Sequence, residues 1–503
     1  MRRAKILATI GPSSESETVI ESMLAAGLSA VRINMSHGEH SEHERRIELV
    51  RETAAKLGVP VAVLIDLSGP KIRTRTLDGG LSVVLTEGDK FVITTREVVG
   101  TKHEVGTNYD DLPSVVSKDA RILIDDGSIE LRVDETTETD VITTVVVGGV
   151  LAERKGINLP NTLLPIPSMT KKDHADLEWA MTQNIDYVAL SFVRTAEDCR
   201  QAKARIKELN TRPLGRPLLI AKIEKAEAID NLLEIIDATD GLMVARGDLG
   251  VETSVELVPV YQKRIIELAV AHDKLVITAT QMLQSMIVNP FPTRAEASDV
   301  ANAVWDGTDA VMLSAETASG SHPVESVKTM ARIIDSAETI KAEQLKKPVK
   351  FNQPPSGRTS QALCKAAAYA AKEMRTDKVA VFTESGLMAR RLSAVRSGLQ
   401  TFALTTSQDV YNQLALIWGV KPFHHPDLGE ADERPIGEGT MMDLLNTQSD
   451  KTADLLKTGE TTLLDAGVVS DGETLIMMAG RLSGHGLSSS VIVWTIGEEI
   501  TRR

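Results

Sequence analysis

The chain has 503 residues, 42% hydrophobic and 25% charged, which is enough apolar material to fold and, at roughly 150 residues per domain, too long for one core. A formal net charge of -14 excludes generic nucleic-acid binding, whose affinity comes from Lys and Arg meeting phosphates. Cys199 and Cys364 are too few for a disulfide framework and point to a reducing compartment.

The opening residues carry Arg2, Arg3 and Lys5 but only a short apolar run before Gly11 and Pro12, which reads as a first strand and not as a signal peptide. No stretch approaches the ~18 apolar residues of a membrane span. A cytoplasmic protein with no membrane or nucleic-acid partner is expected. Eight apolar, β-branched runs then follow at 4–10, 31–36, 61–67, 187–193, 218–223, 241–247, 275–281 and 309–316. Segments with apolar residues every three or four positions, such as Thr18 to Ala26 and Glu256 to Ala271, lie between most of them. The runs are continuous in apolar residues, as parallel strands buried on both faces require. Eight such strands alternating with helices predict a TIM barrel; a doubly wound open sheet satisfies the same alternation.

The helical period disappears over 70–156, where short runs such as Leu81–Thr86, Lys90–Thr95, Ala120–Ile124, Ile129–Val133 and Val141–Val147 are separated by Gly, Asp and Thr turns. This segment reads as a small inserted β domain. The proline-rich stretch Lys346–Gly357 reads as a linker, beyond which helical patterns at 358–375, 385–397, 408–418 and 442–458 alternate with strands. The predicted partition is a barrel domain over 1–69 and 157–345, an inserted β domain over 70–156, and a C-terminal α/β domain over 346–503.

Charged and small polar residues collect where the strands end. Arg32, Asn34 and Ser36 close the second run, Asp66 the third, Lys222 and Glu224 the fifth, Arg246 and Asp248 the sixth, and Thr280 and Gln281 the seventh. Carboxyl ends of barrel strands converge on one face, so residues far apart in sequence become neighbours there. Glu224 and Asp248 on adjacent strands can offer two oxygen ligands to an octahedral Mg²⁺. Lys222 shares a strand face with Glu224 and can reach a phosphoryl group in flight. Ala245–Gly250 reads as a strand-to-helix turn whose glycine lets a small anion approach the backbone. Alone, an Arg-Gly-Asp string is a surface turn and Lys222–Glu224–Lys225 a solvated cluster; their coincidence at strand ends argues otherwise. Ser191, Arg194 and Asp125–Asp126–Gly127 read equally well as ligand contacts or as turns and caps.

At these residues the chain resembles the pyruvate kinase family. The stretches Val31–Gly38, Asp66–Arg73, Ala221–Lys225, Met243–Gly250, Thr278–Leu283, Pro292–Glu296 and Ser314–Thr317 are similar to its signatures, in its order and over nearly the whole chain. The resemblance implies a TIM barrel with an inserted small β-barrel lid domain and a C-terminal α/β regulatory domain, and transfer of the phosphoryl group of phosphoenolpyruvate to ADP, giving pyruvate and ATP. It assigns Lys222 and Arg32 to the transferring phosphoryl group, and Gly247, Asp248 and Thr280 to the substrate carboxylate. Thr280 would also lie on the proton path. It assigns Glu224 and Asp248 to one Mg²⁺, with a second Mg²⁺ arriving on the nucleotide. Arg73 and Lys155 match nucleotide-binding positions, with Asn34, His37 and Pro12 near that pocket.

Asn34, Ser36, Asp66 and the Leu67 carbonyl match ligands of a K⁺ ion, but Lys71 stands where K⁺-dependent relatives carry Glu, which makes K⁺ dispensable. In the C-terminal domain Thr383–Gly386 opens a helix in a way that suits the phosphate of an allosteric effector, with Arg481 as a further contact. Glu384 favours AMP or a sugar monophosphate over a sugar bisphosphate. The family is usually a homotetramer. A barrel aldolase or mutase acting on phosphoenolpyruvate would need neither Arg73 and Lys155 nor a lid. A non-catalytic metabolite sensor would tolerate loss of Lys222 or of the metal pair, and all three residues are present.

Overall fold

The computed structural model describes residues 2–160, 162, 164–212, 215–344, 358–425, 441–479 and 490–498. The eight apolar runs become the strands Lys5–Thr9, Ala30–Asn34, Ala62–Asp66, Tyr187–Leu190, Leu218–Ile223, Gly241–Ala245, Leu275–Ala279 and Ala310–Leu313. All pair in parallel and close into one barrel, the first strand meeting the last at Lys5↔Ala310 and the second at Leu7↔Ala30. The open-sheet alternative is thereby excluded. The continuous apolar pattern has a direct cause, because successive residues of each strand serve two cores. Ile6, Val63, Val188, Leu242 and Val276 face the surrounding helices, while Leu7, Leu64, Tyr187, Met243 and Ile277 fill the barrel interior. Replacing a fully buried interior residue such as Leu64 by Ala costs about 2–5 kcal/mol.

Local chemistry fixes where the outer helices begin. Thr170, Thr195 and Thr293 each accept from the backbone three residues on, and Asp173, Asp198 and Glu296 return the bond. The strand ends therefore stay in register with the helix starts, and the polar strand ends gather at one mouth.

Between the third and fourth barrel strands stands the insert, a six-stranded sheet and a two-stranded ribbon around one apolar core that includes Phe91, Ile122, Leu131 and Val141. Its strands Glu104–Gly106, Gly149–Leu151 and Ile157–Asn158 are two or three residues long, too short to show a period in the sequence. The last of these pairs with Arg121–Ile124, so the insert's sheet runs on to Asn158.

The C-terminal domain is a five-stranded sheet, parallel except for its edge strand Ser490–Thr495, with helices Arg358–Glu373, Leu387–Ala394, Gln408–Leu414 and Met441–Asp465. It packs on the barrel floor, and the interior core of the barrel continues into Cys364, Ala367, Leu392, Leu414 and Val420. Cys364 and Cys199 are both buried and free, and burial pushes each thiol up to about 12, so neither is a nucleophile. The linker expected at 346–357 and the loop residue Arg481 lie outside the described residues. Among the described residues no helix is long and apolar enough to cross a membrane.

Candidate active site

At the carboxyl ends of the strands six ionisable side chains gather, four in one chain of contacts and two in a pair beside it. Arg32 Nε lies 2.6 Å from Asp66 Oδ2, and Arg32 Nη1 donates to Thr9 Oγ1 at 3.1 Å. Lys222 Nζ lies 3.3 Å from Asp66 Oδ1 and 2.9 Å from Glu224 Oε1, and donates to Ser191 Oγ at 2.8 Å. Glu224 Oε2 also accepts the Phe192 N–H at 2.7 Å, and Lys71 Nζ reaches Asp248 Oδ1 at 3.4 Å. Three ammonium or guanidinium groups thus face three carboxylates. The set is neutral as it stands, and a divalent cation would leave it positive toward an anionic substrate.

Burial alone would lower the Lys222 pKa, but Asp66 and Glu224 outweigh it and raise it, so Lys222 is a fixed positive charge and no base. Burial pushes the Asp66 carboxyl up, yet Lys222 and Arg32 together hold it below the usual carboxylate range. Glu224 is shifted upward, by burial first and by Asp248 in addition, against the pull of Lys222.

Strain marks the same mouth. Thr280 and Gln281 follow one another at φ 65° and 52°, and Phe192 sits at φ 53°, a conformation unusual for side chains this large. Arg246 explains how the first pair is held, since its guanidinium donates to Ala279 O at 3.1 Å and Thr280 O at 2.6 Å and pairs with Asp299 at 2.8 Å. The sequence placed Arg246 among the mouth residues; its side chain clamps the strained turn. Thr280 Oγ1 accepts the Gly247 N–H at 2.9 Å and donates to Ala279 O at 2.7 Å. Beside it a Cβ at Gly247 would meet nothing nearer than Thr280 Oγ1 at 3.6 Å, which leaves room for a ligand to approach.

Next to the charged set opens a cavity of ≈ 490 Å³. Pro12, Asn34 and His37 line it, together with Glu15, His43 and Arg46. Burial lowers the His37 pKa, and the charges of Arg73, Arg32 and Lys71 lower it further, which favours the neutral ring. Arg73 Nη1 donates to Arg154 O at 3.1 Å, and Lys155 Nζ is paired with Asp125 Oδ1 at 2.9 Å. Arg73 and Lys155 therefore stand at the lid root, with Lys155 engaged inside the lid, while Pro12, Asn34 and His37 stand in the wall.

The atoms matched to a K⁺ site all have protein partners. Asn34 Oδ1 accepts the Ser36 N–H at 3.2 Å, Ser36 Oγ meets Ser68 Oγ at 3.2 Å, and Leu67 O accepts Ser191 Oγ at 2.7 Å. Ser191, ambiguous in sequence, thus binds both Lys222 and the Leu67 carbonyl. Arg194 instead ties Leu164 O and Ile166 O, a structural role. Sequence reasoning missed the Phe192 N–H, Thr9 and the Glu15–Arg46 pair on the cavity rim. The first is a backbone group, and the others look like an ordinary strand residue and a solvated helix face.

Family comparisons agree with this architecture. Residues 1–327 match the family described as "Pyruvate kinase, barrel domain", and residues 361–493 match "Pyruvate kinase, alpha/beta domain". The chain is 40% identical over 482 residues to a pyruvate kinase of Clostridium acetobutylicum, covering 95% of this chain and 96% of that one. It is 41% identical over 470 residues to a pyruvate kinase of Geobacillus stearothermophilus, covering 93% of this chain and 78% of that one. The crystal structure of a Cryptosporidium parvum pyruvate kinase superposes with a TM-score of 0.86 at 31% identity, covering 98% of this chain and 96% of that one. On the strength of two domain matches that together span most of its length, the chain belongs to the pyruvate kinase family.

Proposed function

We propose that this chain transfers the phosphoryl group of phosphoenolpyruvate to ADP at the barrel mouth, giving pyruvate and ATP. The observation that carries the reading is the neutral set of Arg32, Lys222 and Lys71 against Asp66, Glu224 and Asp248, beside a cavity large enough for a nucleotide. Lys222 and Arg32 hold the oxygens of the phosphoryl group as it passes from the enolate oxygen to ADP. Asp66 and Thr9 fix the direction of the Arg32 fork. Gly247, Asp248 and Thr280 border the place of the substrate carboxylate. When the phosphoryl group has left, carbon 3 of the enolate takes a proton, and the Thr280 hydroxyl relays it through water. Pro12, Asn34 and His37 receive the nucleoside end, and Arg73 and Lys155 reach its phosphates when the lid closes and excludes water.

Glu224 and Asp248 supply oxygen donors only, and among the described residues no cluster of three His, Cys, Asp or Glu forms. That donor set fits Mg²⁺, which keeps several waters and takes further oxygens from substrate. Glu224 and Asp248 would hold one ion, with a second arriving on the nucleotide; bound there, Mg²⁺ supplies a Lewis-acid charge at the substrate oxygens. Lys71 supplies a tethered positive charge where a monovalent cation would otherwise be required, which supports a site that works without K⁺.

The reading extends to regulation and setting. The partition at 1–69 with 157–345, 70–156 and 346–503 makes the middle segment a lid and the last a regulatory domain. A phosphorylated effector, AMP or a sugar monophosphate, docks at Thr383–Gly386 with help from Arg481; Gly386, at φ 71°, opens the helix Leu387–Ala394 there. The enzyme is cytoplasmic and homotetrameric. Mixing the protein with phosphoenolpyruvate, ADP and Mg²⁺ and following pyruvate and ATP tests the reaction. Formation of both in equal amounts is expected, and absence of ATP overturns it.

A further inference from the structure

The two roots of the lid are fastened to the barrel in different ways. Beyond the Gly69 N–H, which donates to the buried Asp173 Oδ1 at 3.0 Å, the outgoing root touches the barrel through Lys71 Nζ and Asp248 Oδ1, 3.4 Å apart, with side chains 28% and 22% exposed. The returning root is fastened by Asn158, whose Nδ2 donates to Glu252 Oε1 at 2.8 Å. Glu252 Oε2 in turn accepts Lys225 Nζ at 2.7 Å, and the two side chains are only 4% and 5% exposed. Glu252 closes the helix Arg246–Glu252, one turn beyond Asp248, and Lys225 follows Glu224 directly in the chain. Between the two roots lies a cavity of ≈ 30 Å³ lined by Lys71, Ile72, Asn158, Lys225 and Glu252 among others, room for about one water.

The physical difference between the fastenings assigns their roles. A long contact between half-exposed groups breaks and reforms with little cost. A buried ion pair with a hydrogen-bonded amide does not, because losing one partner strands a charge away from water. The returning root is therefore the firmer hold, and the outgoing root is strapped to it, since the Ile157 N–H donates to Ile72 O and the Thr74 N–H to Lys155 O, both at 2.8 Å. Any movement of the lid about this hold pulls on Glu252 and, through it, on both segments that carry the metal carboxylates.

We propose that Asn158, Glu252 and Lys225 form a positioning triad that couples the lid to the geometry of Glu224 and Asp248. Nucleotide binding at the lid then tightens the hold on phosphoenolpyruvate in the barrel. None of the three touches the reacting atoms. The inference rests on the proposed reaction and adds a route by which the two substrates sense one another.

Bisubstrate initial-rate kinetics read this coupling as the ratio of the phosphoenolpyruvate constants at vanishing and at saturating ADP. The ratio in the wild type is expected to be at least about fivefold. In Asn158→Ala it falls to near one, while turnover stays within about tenfold of the wild type and the thermal midpoint shifts by a few degrees. Asn158→Ser, which keeps a donor toward Glu252, recovers part of the ratio, and Asn158→Leu, which fills the same space without a donor, covers the case in which the alanine variant does not fold. A residue that merely supports the fold would lower stability and leave the ratio alone. An unchanged ratio in Asn158→Ala or, if that variant does not fold, in Asn158→Leu overturns the triad, as does a wild-type ratio of one. A wild type that makes no ATP at all overturns the proposed reaction instead, so the two failures are told apart.

Discussion

The two ends of the barrel both bury charge, and they use it oppositely. At the floor, cations end on backbone carbonyls of the facing domain: Lys5 Nζ on Val420 O at 2.7 Å, and Arg3 Nη2 on Gly398 O at 2.7 Å. Asp309 joins Arg396 and the Trp418 N–H, and the Arg396 guanidinium lies 4.5 Å over the Trp418 ring. At the mouth the partners of Lys222, Arg32 and Lys71 are chiefly other side chains. A carbonyl of a packed strand cannot be exchanged for a ligand without unfolding something, whereas a carboxylate can release an ammonium when a phosphate or a metal arrives. The kind of partner therefore separates structural from functional charge better than burial does.

Lys222→Met breaks the mouth at its centre and has the largest expected effect. Turnover falls at least ~100-fold while phosphoenolpyruvate binding stays largely intact, since the charge is needed most where the phosphoryl group is free of both partners. Near-normal turnover, measured by coupled assay, would sink the assignment of Lys222. Glu224→Gln and Asp248→Asn come next. Each removes one of two charged ligands, and the Mg²⁺ concentration for half activation rises roughly 10- to 100-fold; saturation at the wild-type concentration places the metal elsewhere.

Lys71→Glu sharpens the comparison by turning an exchangeable cation into an anion. The wild type is expected to be fully active in K⁺-free buffer with a bulky organic counterion, and the variant to lose about tenfold there and to recover on adding K⁺. A wild type that stays idle until K⁺ is supplied restores Asn34, Ser36 and Asp66 as working cation ligands.

The smallest effect is expected at the floor. Burial there pushes the Asp273 carboxyl up to about 6, against Arg391 and Lys274, from an ordinary value of 3.8. Between those two pH values the folded state binds more protons than the unfolded one, so this group's contribution to stability declines as pH rises from about 4 to about 6. Asp273→Asn removes the titration and suits the left-handed φ of 56°. Its thermal midpoint relative to the wild type should therefore climb by a few degrees across that window and then level, with turnover unchanged. A difference independent of pH would show that Asp273 does not titrate there.

Most of the barrel was legible because its strands carry their own markers, an apolar β-branched run ending in a polar residue, as in Val63–Asp66 or Leu218–Lys222. The site was legible for the same reason, since topology brings the ends of such runs together. What escaped had no local signal. The insert strands Glu104–Gly106, Gly149–Leu151 and Ile157–Asn158 lack the length to show alternation. Arg246 carries the same charge whether it grips a ligand or the Thr280 carbonyl, and only the turn's φ values decide. Asn158, Glu252 and Lys225 lie far apart in sequence and are individually ordinary. The covering of the barrel floor by the C-terminal domain left no mark in either segment, because alanines and leucines serve any apolar contact.

The closure of the barrel by Lys5↔Ala310, with the insert spliced between Asp66 and its neighbour Ala189, has a consequence for the birth of the molecule. At about 5–20 residues per second of synthesis, the first strand leaves the ribosome roughly 15 to 60 s before the strand that must complete its ladder. The insert, with its own core, can fold during that wait, but the first three strands cannot: all present apolar residues on both faces, and the outer two, Lys5–Thr9 and Ala62–Asp66, each leave an edge unpaired. Newly made chains are therefore exposed to misassociation for tens of seconds, and the yield of enzyme in a cell depends on how well that interval is guarded as well as on the stability of the finished barrel.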